Sequence, residues 1–121
     1  MTLEEKKYVY TIKDLPQVPL TDKVNTRFLL TDKMLFSFIE QPPGAKFPIH
    51  AHDCEQVLII LEGSEDHIVG GQNIHMEAGD VCVHPAGVPH GGETKTGFKG
   101  IDIFCPPRED YVEMMKKHGG N

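Results

Sequence analysis

The chain is written in short apolar runs cut by Gly, Pro and Asp, with little sustained helical periodicity. Leu35 to Glu40, Val57 to Leu61, Asp66 to Val69, Ile74 to Met76, Val81 to His84 and Lys99 to Phe104 are β-prone segments. Their spacing is that of an all-β sandwich or barrel. Gly70-Gly71-Gln72-Asn73 separates Ile68-Val69 from Ile74-His75 and predicts a hairpin turn, because glycine supplies the positive φ that tight turns need. Val57-Leu58-Ile59-Ile60-Leu61 is apolar at every position, which predicts a central strand covered on both faces. One cover is the barrel interior. A second copy of the chain is the natural source of the other, so a homodimer is expected.

The flanks carry weaker signals. Tyr8 to Leu20 holds alternating Tyr8, Tyr10 and Ile12 and two prolines, which suits an edge strand or a swapped arm. Between Pro107 and His118, acidic Glu109 and Asp110 come first, Lys116 and Lys117 come last, and Gly119 lies beyond, the charge order of one short helix. The expected organisation of the 121 residues is one domain: an N-terminal arm over 1–33, a barrel core over about 34–107 and a C-terminal helix and tail over 108–121.

The net charge of −6 and the lack of an Arg-rich run argue against nucleic acid or an anionic membrane as the main partner. A small-molecule substrate is the partner expected, an anionic one included, since one local Arg and a metal can override the global field. Met1 to Lys7 has no signal-type apolar run, and no window approaches the roughly 20 apolar residues of a membrane span, so a cytoplasmic location is expected. Cys54, Cys82 and Cys105 are an odd set and read as free thiols. Cys54 lies between His52 and Gln56, where a thiolate would suit a soft metal, but it reads as a small buried filler and is left out of the metal set.

Candidate chemistry centres on histidine. His50 and His52 are two apart, and on an extended strand such residues face the same way about 6 to 7 Å apart. Gln56 keeps that parity and can add an amide oxygen, whereas Glu55 has the opposite parity. Gly79, Pro85, Gly87 and His90 punctuate a strand, a tight turn and a return that would bring His90 against the first pair. His50, His52, Gln56 and His90 are therefore the expected ligands of one divalent transition metal, with Zn, Ni, Fe, Mn and Cu all compatible with imidazole. A ligand set without carboxylate leaves the ion its full charge as a Lewis acid. Of the other histidines, His67 and His75 flank the hairpin and His118 sits in the tail, so all three are expected at the surface. His84 shares parity with Asp80 and Cys82, while Val81 and Val83 have the parity expected of the interior. His84 is thus expected to face away from the metal. Asp102 and Phe104, two apart on a strand, would project beside the metal, and Arg108 after Pro106-Pro107 could clamp a substrate carboxylate. The other reading of Arg108 is an ion pair with Asp102 that pins the C-terminal segment.

Gly44, His50, His52, Gln56 and Gly63, followed by Gly79, Asp80, Pro85, Gly87 and His90, resemble the two linked motifs of the cupin superfamily over at least residues 34–107. The resemblance implies an all-β conical barrel of the jelly-roll type with a short C-terminal helix, and the same four residues as metal ligands. With Asp102-Ile103-Phe104-Cys105-Pro106-Pro107-Arg108 added, the chain is similar to the small single-domain cupins of pectin and alginate breakdown, which help convert 4,5-unsaturated monouronates into open-chain keto acids. That likeness implies pocket roles for Asp102, Phe104 and Arg108 in a non-redox isomerisation. Two other readings stay open: an oxygen-dependent metalloenzyme of dioxygenase type, and a non-catalytic small-molecule-binding cupin.

Overall fold

The structure, a computed structural model, describes residues 8–118; Met1 to Lys7 and Gly119, used above, lie outside the described residues. Nine strands follow in chain order: β1 (Gln17–Pro19), β2 (Asn25–Leu30), β3 (Leu35–Gln41), β4 (Lys46–His50), β5 (Glu55–Val69), β6 (Gln72–Glu77), β7 (Val81–His84), β8 (His90–Glu93) and β9 (Phe98–Cys105). One helix, α1 (Glu109–Lys117), closes the described chain. The strands form one curled antiparallel sheet in the order β1-β2-β3-β9-β5-β8-β4, with β6 and β7 also paired to β5.

The runs Val57 to Leu61 and Asp66 to Val69 belong to one 15-residue strand. Its N-terminal half pairs with β7 and β9, its C-terminal half with β6 and β8. Between the halves the register with β9 shifts at Ile60 to Glu62. An irregularity of this kind adds a residue to one strand and bends it. It also changes which residues face inward: Gln56, Leu58 and Ile60 are buried before it, Glu65 and His67 after it. The bent strand lets the sheet curl over into a barrel.

Register also explains β7. His84 lies opposite Gln56 and Cys82 opposite Leu58, and directly opposed residues of antiparallel strands share a face. Cys82 and His84 are therefore buried, while Val81 and Val83 are 59% and 52% exposed, the reverse of the expected parity. The outward row Val57 and Ile59 runs on across Val83 and Val81 on one side and Ile103 and Ile101 on the other, leaving an apolar outer face on the sheet.

The sheet begins at Gln17, well before residue 34, because β1 and β2 join it beside β3. In β2 the inward residues are Thr26 and Phe28, and the run Phe28-Leu29-Leu30 breaks any apolar-polar alternation, which weakens the strand signal. The segment before β1 holds a 3-10 turn at Ile12–Asp14, with Tyr8, Val9 and Ile12 exposed, so the edge strand is confined to Gln17–Pro19. The predicted hairpin is present: Gly70 and Gly71 have φ of 55° and 80° and join β5 to β6. Buried Val24, Ile39, Leu58, Ile60, Met76 and Phe98 form one core cluster. Val18, Phe28, Leu35, Phe104 and Met115 form a second, through which α1 caps one end of the barrel.

The bend requires a glycine. Gly63 has φ of 81°, and a Cβ there would fall 2.1 Å from the Gly97 carbonyl oxygen. Gly63→Ala is expected to lower stability in urea denaturation by about 3 kcal/mol or more, combining left-handed strain with a backbone clash. Gly71→Asn, at a position with nothing within 4 Å, should cost about 1 kcal/mol or less.

Candidate metal centre

Three histidines converge at one end of the barrel. His50 ends β4 and His90 opens β8, and the two are register partners. His52 lies beyond the end of β4, in the loop leading to β5, so loop geometry rather than strand parity sets its position. Gly91 permits the close approach of these strands, since a Cβ there would lie 2.9 Å from the Ile49 amide nitrogen. The ring centroids are 4.5 Å apart for His50 and His90, 4.8 Å for His52 and His90, and 5.7 Å for His50 and His52. One ring nitrogen from each lies within 4.8 Å of the others.

Backbone carbonyls fix the tautomers. Nδ1 of His50 is 2.8 Å from the Pro48 oxygen, Nδ1 of His52 is 2.9 Å from that of Cys54, and Nδ1 of His90 is 3.0 Å from that of Val88. A carbonyl only accepts, so each Nδ1–H donates and each neutral ring turns an Nε2 lone pair inward. Nε2 of His90 is buried with no hydrogen-bond partner. Burial lowers the His90 pKa to about 4, and burial likewise lowers that of His50, partly offset by the Pro48 bond. Neutral imidazoles are what a metal needs.

Gln56 stands beside them. Its Nε2 donates to Asp102 Oδ1 at 2.7 Å, which turns its Oε1 towards His52 Nε2 at 3.0 Å. With Nδ1–H given to Cys54, a neutral His52 turns its Nε2 lone pair to Gln56 Oε1, and two such atoms 3.0 Å apart are spaced as neighbouring ligands of one divalent ion would be. Glu55 is exposed and lies opposite Cys105, on the other face of β5. Cys54 is buried with Sγ 3.3 Å from His52 Nδ1, the side of the ring turned away from the Nε2 cluster.

His50 and His90 open into a narrow cavity of about 40 Å³, lined also by Gln56, Asp102, Phe104, Arg108 and Tyr111. Burial pushes the Asp102 carboxyl up to about 7, against the pull of the Gln56 hydrogen bond. Phe104 sets its ring edge-on to His52 at 5.8 Å. The Arg108 guanidinium lies 3.8 Å over the Tyr111 ring and donates twice to Asp110, at 2.8 and 3.0 Å. The pairing of Arg108 with Asp102 is not formed, because each has another partner.

Two histidines depart from expectation. His67 and His84 are buried in the same cavity, where His67 Nδ1–H donates to buried Glu65 at 2.8 Å. The shift in β5 turned His67 inward, and register turned His84. Glu65 and Tyr111 were also missed as cavity residues; the alternation of Glu65, His67 and Val69 was the available signal for a strand facing inward with polar groups. His75 and His118 are exposed.

The chain belongs to the cupin domain family, which matches residues 37–104. Among solved structures, it is similar to an RmlC-like cupin from Shewanella frigidimarina, at 28% identity and a TM-score of 0.82 over 88% of this chain and 97% of that one. It also resembles KdgF from Halomonas sp. (19% identity, TM-score 0.78, 84% and 97% covered). A predicted oxalate decarboxylase from Thermotoga maritima matches at 21% identity and a TM-score of 0.73, with 81% and 98% covered. No curated protein matches the chain. No helix among the described residues is long and apolar enough to cross a membrane.

Zinc added to metal-free protein is expected to bind at about one ion per chain and to raise the thermal midpoint, because the ion binds the folded state. His50→Ala with His52→Ala should remove both effects, as read by metal analysis and thermal melting. Full zinc occupancy in that double variant would overturn the site.

Proposed function

We propose that the protein is a metal-dependent cupin that isomerises a small carboxylated, sugar-derived molecule, such as an unsaturated uronate, without redox change. The observation that carries the reading is the chain of contacts from Asp102 through the Gln56 amide to the converging imidazoles, at 2.7 and 3.0 Å. It puts a carboxyl group that titrates near neutrality one side chain away from the metal position. His50, His52, Gln56 and His90 would hold the ion. When bound, a divalent ion in this neutral donor set supplies Lewis acidity towards a substrate oxygen.

The remaining steps belong to the chain itself. Asp102 moves the proton that ring opening and ketonisation transfer from oxygen to carbon, a task suited to a pKa near the working pH. Arg108, held in place over Tyr111, presents its guanidinium at the cavity mouth to orient the substrate carboxylate. Phe104, buried beside His52, limits water access to the reacting atoms. The uronate substrate rests on the likeness of the Asp102 to Arg108 segment to pectin- and alginate-degrading cupins, since structural similarity at this identity supports the fold alone.

The apolar outer face supports a homodimer built through the strands around β5. Sedimentation should give the dimer at micromolar concentration. A single monomeric species would contradict this part of the reading.

Asp102→Asn should retain the metal and lower turnover of an unsaturated uronate by roughly 10²-fold or more, the scale of general acid-base catalysis. Arg108→Ala should chiefly raise KM. Ultraviolet absorbance of the conjugated double bond follows the reaction. Metal-loaded protein that fails to exceed the spontaneous loss of that absorbance, across several unsaturated uronates, would reject the activity and favour oxygen-dependent chemistry, which oxygen uptake measures.

A further inference from the structure

Apart from the proposed metal ligands and Asp102, the cavity has a second polar wall with no assigned role. Glu65 and His67 are 3% and 7% exposed, and His84 is fully buried. His67 Nδ1–H donates to Glu65, yet His67 Nε2 and both ring nitrogens of His84 are buried without a hydrogen-bond partner. Buried polar atoms are normally paired, so three unpaired ones on one cavity wall point to a ligand. The three rings are nearly parallel: His84 lies 4.6 Å from His67 and 4.2 Å from His90, so the wall runs on to the metal-side histidine. Gly92 makes the room for it, since a Cβ there would meet His67 Nδ1 at 2.6 Å and Glu65 Oε2 at 3.0 Å.

We propose that Glu65, His67 and His84 form a second binding pole of the cavity, which takes the hydroxyl groups of a polyhydroxylated carboxylic acid while its carboxylate faces Arg108. The proposal rests on the reading that the cavity takes a small acid beside a metal. The chemistry selects the hydroxyl. A neutral His84 ring offers one donor and one acceptor, and only a group that both donates and accepts can satisfy it. A carboxylate or phosphate would meet the Glu65 carboxylate, and an alkyl chain would leave every nitrogen unpaired. Among the described residues, the ligating side chains that converge as a metal site does are His50, His52 and His90; Glu65, His67 and His84 do not converge in that way. Glu65 acts through His67 and is a positioning residue.

The test is calorimetric titration of the zinc-loaded protein with D-galacturonate and with tetrahydropyran-2-carboxylate, a ring acid without hydroxyls. The wild type is expected to prefer galacturonate by about 10-fold or more, the scale set by leaving buried polar groups unpaired. His67→Phe should bring the two affinities within about 2-fold of each other while keeping zinc and the ring acid bound. Glu65→Gln should narrow the preference, a change in selectivity that a merely structural role would not produce. Should His67→Phe fail to fold, the 15N shift of His67 Nε2 in labelled wild type gives the same answer: it should move with galacturonate and not with the ring acid. Equal binding of both acids by the wild type, or an undiminished preference in His67→Phe, would overturn this inference and leave the acid site standing. Binding of neither acid would overturn both.

Discussion

The register shift in β5 is the constraint on which the rest of the architecture turns. A single strand pairs with β7 and β9 through one half and with β6 and β8 through the other, and the bend between them brings those pairs round one cavity. The close backbone contact of Gly63 with Gly97 holds that bend. Without the shift, one face of β5 could not present both Gln56 and His67 to the interior, because residues of opposite parity face opposite ways on a regular strand. The cavity therefore owes its two polar walls to one irregularity.

The site itself is organised by hydrogen bonds that leave chemically useful atoms free. Carbonyls of Pro48, Cys54 and Val88 occupy Nδ1 of the three histidines, and Asp102 occupies the Gln56 amide nitrogen. Each of these partners is supplied by backbone or by a buried side chain, so orientation is set before any ligand arrives. Burial does the electrostatic work as well: it keeps His90 and His50 neutral and lifts Asp102 towards neutrality. Neutral imidazoles positioned as metal ligands and a carboxyl group raised towards neutrality thus come from the same dry environment, acting on groups of opposite charge type.

Arg108 illustrates how a helix start can serve a cavity. It is the N-cap residue of α1, and its backbone carbonyl accepts from Val112 while its guanidinium is spread over Tyr111 and tied to Asp110. The same helix buries Met115 in the cluster that includes Phe104. Packing of α1 and placement of the guanidinium are consequently coupled, and the short helix belongs to the site as well as to the fold.

Much of this was legible in the sequence, for reasons that are local. Short β-prone runs cut by Gly and Pro specify a β architecture, Gly70-Gly71 specifies its hairpin, and the spaced motifs from Gly44 to Gly63 and Gly79 to His90 carry the family. These signals depend on neighbours a few residues apart, where propensity and turn chemistry act. The facing of His84 was not legible, and that of His67 was signalled only by the alternation of Glu65, His67 and Val69. In β7 the alternation of Val and Cys or His has no strong apolar bias, and only pairing with β5 puts Val81 and Val83 outside. In β5 the inward set changes partway along, at a bend that Gly63 marks but whose shift in register only the pairing with β9 fixes. β8, with His-Gly-Gly-Glu, has almost no strand propensity and exists because β4 and β5 hold it on both sides. Local chemistry chose the elements; long-range register, which no single segment encodes, decided which of their side chains meet.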